Sequence, residues 1–231
     1  MIYMHPGGSI LWVLIGCYII FFLVSCFAWK ENQLNIDGRS GLVNSLNGIN
    51  LKNLSGIVLF GLPLVLYFKL WAHLFLLSPG LPSRKMLVFL LLIIAVGQLA
   101  LMKAKKRSKD SVIRERDREQ LAFPAVRWYL FIRICFLIVY ECFFRGLLLF
   151  VCAGIFGAPS AVVINMIFYT GIHVFNGRWE MLSCIPFGLL LCGMVLWNQS
   201  VLPAVALHLV LALVYENHLI FSLDQPKTLT S

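Results

Sequence analysis

Charge is scarce in this sequence. Only 13% of its 231 residues are Asp, Glu, Lys or Arg, about half the share found in soluble globular domains. By contrast 60% are hydrophobic and the mean hydropathy is +0.87, a balance that excludes a water-soluble fold. The seven cysteines (Cys17, Cys26, Cys135, Cys142, Cys152, Cys184, Cys192) contain no CxxC pair, which excludes a zinc ribbon or a dithiol redox motif. Odd in number and all within or at the edge of apolar runs, they are expected to be buried free thiols. No HExxH spacing is present, so no helix presents the paired histidines of a zinc protease. The opening MIYMHPGGS has no positive segment, and no small-residue cleavage site follows the first apolar run. That run is therefore expected to stay as a span instead of being removed as a signal peptide. With no internal repeat, low-complexity tract or shift of composition, residues 1–231 read as a single integral membrane domain.

What the sequence does contain is long apolar runs. Crossing a hydrocarbon core takes about 20 helical residues, and seven stretches qualify: 10–28, 56–77, 86–102, 128–152, 159–175, 180–197 and 201–221. The expected fold is all-α, a polytopic integral membrane helix bundle of about seven transmembrane helices. The segment 34–56 between the first two runs reads as a polar loop with a short surface helix at most. KAKKRSKDSVIRERDREQ (103–120) holds eight Lys or Arg against four acids, and the positive-inside rule assigns such a loop to the cytoplasm. Alternation then makes 29–55, 175–179 and the tail cytoplasmic and 1–9, 153–158 and 198–200 external, with Arg84 and Lys85 the exceptions. The expected location is the plasma membrane, with the loop 103–127 in the cytoplasm; its cations would meet anionic lipid headgroups, and no nucleic acid.

Four residues stand out because a charge at the centre of a lipid-embedded helix costs about 2.5–3.5 kcal/mol. The fourth run carries Glu141 and Arg145, the fifth His173, the seventh His208. Glu141 and Arg145, four apart, can form an intrahelical ion pair that lowers this cost, and a single histidine is commonly a hydrogen-bonded core residue. Three runs bearing such groups at similar depth instead point to a shared wet pocket. Asn165, Tyr169 and His173 recur every fourth residue and form one stripe, and Gly171 would admit a close neighbour. Ser200 can cap the seventh helix, with Pro203 tolerated in its first turn.

These residues resemble, in order and spacing, the CAAX-processing and bacteriocin-processing (CPBP, or Abi) family of intramembrane endopeptidases, whose pattern is E-E-x-x-x-R, F-x-x-x-H and H-x-x-x-N on successive membrane helices. YECFFRG (140–146) resembles the first motif, YTGIH (169–173) the second, and His208 with the four residues after it the third; the similarity covers about residues 125–215. Three positions depart from the pattern: Tyr140 for the first glutamate, Tyr169 for the phenylalanine, Ala212 for the asparagine. The resemblance implies cleavage of a peptide bond in a membrane-associated peptide or protein, with Glu141, Arg145, His173 and His208 as the catalytic set. Glu141 and His173 would activate water and His208 would donate to the oxyanion. No cofactor is expected to be required, although zinc held by Glu141, His173 and His208 is chemically open. The alternative is a catalytically impaired relative acting as a membrane scaffold, immunity or regulatory protein. A transporter would also use intramembrane Glu and His, but the inverted repeats and broken helices expected of one are not evident.

Overall fold

The structure, a computed structural model, describes residues 8–30, 42–75, 83–110, 123–176 and 178–224. Expectations for the N-terminal residues, most of the basic loop and the C-terminal tail lie outside them. The described chain is helical, with no strand: α1 (Gly8–Lys30), α2 (Leu42–Leu66), the short α3 (Phe68–Trp71), α4 (Ser83–Asp110), α5 (Phe123–Glu141), a π-helical segment (Cys142–Leu148), α6 (Leu149–Phe156), α7 (Ala158–Ile172), α8 (Arg178–Asn198) and α9 (Leu202–Asp224). Seven stretches among these are long and apolar enough to cross a membrane, so the chain is an all-α integral membrane helix bundle.

Two boundaries differ from the expectation. The second span runs from Gly48 to Leu66 instead of 56 to 77, because the polar residues 42–55, read as a loop, are helical. Local bonding accommodates Ser55, whose Oγ donates to the carbonyl of Lys52 at 2.7 Å, whereas Asn53 is buried with its Nδ2 unmet among the described residues. Likewise α4 continues through Asp110, taking the first eight residues of the basic loop, 103–110, into a helix. All seven cysteines are free, and five are buried; Cys135 is partly buried and Cys26 faces outward.

The fourth span, Val126–Phe156, made of α5, the π segment and α6, is 72% buried by its neighbours, whereas Arg84–Lys106 of α4 is 11% buried. One is the axis of the bundle and the other lines it against lipid. Gly56 makes the axis accessible to α2, since a Cβ there would collide with rings of Phe136 and Phe21. Gly171 does the same for α1, the Tyr18 hydroxyl lying 2.6 Å from where its Cβ would be. The third span's exceptional cation has a structural use. Lys85 Nζ donates to the Trp197 carbonyl at 2.9 Å and lies 5.4 Å from the Trp197 ring centroid, so it meets the negative end of α8.

Candidate functional site

The first motif falls at a change of helix type. Glu141 ends α5, and Cys142–Leu148 form a π-helix, all seven residues of it buried. A π turn bonds i to i+5, and such insertions are frequent at functional sites. Here the Leu149 N–H reaches the Phe144 carbonyl. Asn165 of α7 donates Nδ2 to the same carbonyl at 2.6 Å, while the Cys192 thiol of α8 donates to Asn165 Oδ1 at 3.5 Å. Asn165 thus ties the widened turn to two other helices.

Glu141 and Arg145 are fully buried, and Arg145 Nη1 donates to Glu141 Oε1 at 3.4 Å. His208, entering from α9, places Nδ1 2.5 Å from that same oxygen. So the carboxyl group of the fourth span and the imidazole of the seventh meet in a short contact. The Arg145 guanidinium lies over the Tyr169 ring, 4.1 Å from Cζ to the centroid, a stacking that favours a buried cation. Ser200 caps α9 as expected, accepting from the Leu202 N–H at 3.3 Å, which fixes the start of the helix two turns before His208.

His173 is placed differently. It closes α7 at a 3-10 turn, with its Nδ1 3.5 Å from Glu180 Oε1 in the first turn of α8. Its ring packs edge-on to Tyr169 at 5.1 Å between centroids, and Tyr169 packs in the same way against His208 at 6.4 Å. Of the four residues singled out in the sequence, three are in direct contact and the fourth is connected through an aromatic ring. The zinc set does not gather: His208 is engaged by Glu141, His173 is turned to Glu180, and no three His, Cys, Asp or Glu groups among the described residues are placed to share a metal.

Two features were missed. Glu180 reads as a flanking charge at the start of a span, and only the fold places it on His173. The second feature is a buried cluster between α5 and α9. Tyr129 Oη donates to Glu216 Oε2 at 2.8 Å, and Arg133 Nε and Nη2 both reach Glu216 Oε1 at 2.9 Å. Arg133 and Glu216 lie inside the fourth and seventh spans, so the signal was available in the sequence as two further charges at span positions.

Residues 122–214 match the family model described as Type II CAAX prenyl endopeptidase Rce1-like. Comparison with curated proteins and with solved structures finds no match. The matched stretch holds all three motifs, the π segment, Tyr129 and Arg133, and ends two residues before Glu216; over these residues the chain is similar to the Rce1-like, CAAX-processing family.

Proposed function

We propose that the chain is an intramembrane endopeptidase that hydrolyses peptide bonds in membrane-associated or lipid-modified peptides, with Glu141 as the general base. The observation that carries this reading is the Glu141–His208 contact. One carboxylate oxygen is held by His208 and Arg145, while the other, Oε2, is buried and has no partner among the described residues. An oriented carboxylate with a vacant acceptor in a low-dielectric bundle is arranged to take a proton from water. The water oxygen adds to the carbonyl carbon, the π pair moves to the carbonyl oxygen, and the proton goes to Glu141. Collapse then breaks the C–N bond as the same proton passes to the leaving amine. His208 orients the base. His173, paired with Glu180, is a second imidazole at the rim of the site.

The side-chain placement favours chemistry without a metal, for the reason given above. The basic loop is proposed to be cytoplasmic and the membrane to be the plasma membrane, on the excess of cations at 103–120. Incubating the detergent-purified protein with a membrane proteome should yield new peptide termini that persist in strong chelator and vanish with Glu141→Gln. Equal termini from both proteins would overturn the reading. Tyr140 and Ala212, which break the family pattern, favour a second reading as a non-catalytic scaffold or regulator. A cellular phenotype unchanged by Glu141→Gln but lost on deletion of the chain would select it.

A further inference from the structure

The interior around Glu141 holds polar atoms that the fold does not satisfy. Tyr140 Oη, Glu141 Oε2, Arg145 Nε and Arg145 Nη2 are all buried and without a hydrogen-bond partner among the described residues. A buried polar atom left unmet is costly, more so if charged. Four on three residues of one helix segment therefore mark a place built to be completed by something else. Their chemistry defines the guest. Nε and Nη2 share one edge of the guanidinium and form the fork that binds an oxygen or a pair of oxygens in its plane. The Tyr169 ring covers the face of that guanidinium at 4.1 Å, a contact perpendicular to the plane in which Nε and Nη2 donate. Tyr140 stands with its ring edge-on to His208 at 5.9 Å and 6.1 Å from Tyr169, so its side chain borders the same group. Three donors and one acceptor are thus left unmet on residues 140, 141 and 145, whereas His208 Nδ1 is engaged by Glu141 and the Ala212 side chain, one turn beyond it, offers no donor.

We propose that Tyr140 and Arg145 form the carbonyl-polarising half of the site: the Tyr140 hydroxyl and the Nε/Nη2 edge of Arg145 donate to the oxygen of the substrate amide while Glu141 Oε2 holds the attacking water. This rests on the peptidase reading and adds to it the donors that receive the oxyanion. It also gives the tyrosine at 140 a use that a carboxylate there could not supply, since a neutral phenol donates where a carboxylate only accepts. Removing one such donor typically lowers kcat by about 100- to 1000-fold.

The test separates the donors from turnover. A lipid-anchored dipeptide with a phosphinate in place of its amide, tetrahedral and anionic at the reacting position, is compared with the parent amide for binding to detergent-purified protein. The wild type should prefer the phosphinate by at least tenfold. Tyr140→Phe, which removes one oxygen atom, should cut that preference about tenfold by weakening the anionic phosphinate more than the neutral amide; Arg145→Lys, which keeps the charge but not the fork, should do the same. Identical phosphinate-to-amide ratios in wild type and variants, including ratios of one throughout, would overturn the proposal. Proteolysis by wild type but not by Glu141→Gln would meanwhile uphold the peptidase reading on its own, so the two can fail separately.

Discussion

Two glutamates join the same pair of helices, α5 and α9, and they differ in what is left over. Glu216 projects from α9 and has both oxygens occupied, one by the Tyr129 hydroxyl and one by Arg133, all at 2.8–2.9 Å. Glu141 sits at the end of α5, bonded through one oxygen only, beside a phenol and a guanidinium with unmet donors. The saturated cluster has nothing to offer a ligand and serves as a clamp that fixes the register of α9 on α5. The unsaturated one keeps donors and an acceptor unspent, and on the proposed reading they are there for water and substrate. In a bundle where exposed polar groups are costly, unspent hydrogen-bonding capacity is the mark that separates a site from a brace.

The sharpest way to break the comparison is to neutralise each glutamate in turn. Glu141→Gln should lower cleavage by about 100- to 10,000-fold, the range of general-base catalysis, with little change in resistance to unfolding; comparable activity would make the two clusters equivalent braces. Glu216→Ala strands the mostly buried Arg133 and should lower stability by about 1–3 kcal/mol, read as a shift in the unfolding midpoint in mixed micelles. Its residual activity should follow the folded fraction, and a catalytic loss exceeding the unfolded fraction would make Glu216 part of the chemistry. Asn165→Leu removes the donor to the Phe144 carbonyl and should cost about 1–2 kcal/mol, with faster amide exchange confined to the π segment as its local signature. Smallest of all, Lys85→Ala frees the last carbonyls of α8 and should cost about 0.3–1 kcal/mol, with cleavage unaffected.

Much of the site was legible because lipid makes each polar residue conspicuous. Glu141, Arg145 and His208 were found by their cost in an apolar run, and the structure brings these three together. His173 was found in the same way, but its partner is Glu180, which lies at the polar end of a span where a charge needs no explanation. Arg133 and Glu216 escaped for a related reason: each is near the end of a long run, where it resembles a flanking charge. The π segment left no mark in composition, since CFFRGLL is as apolar as its surroundings, and a helix of either type satisfies its own backbone. Residues 42–55, polar enough to suggest a loop, form a helix in which Ser55 Oγ bonds back to the Lys52 carbonyl.

By itself the sequence determined that the chain lies in a bilayer as a set of helices, because apolar runs of that length cannot be hydrated and a backbone in lipid must bond to itself. It also determined which side chains would be expensive there. Only the tertiary structure decided which imidazole meets Glu141, which glutamate is saturated and where the donors remain unspent. Those outcomes depend on the rotation and axial register of each helix, and packing against neighbours such as Gly56 and Gly171 sets both, whatever the order of residues along any one run.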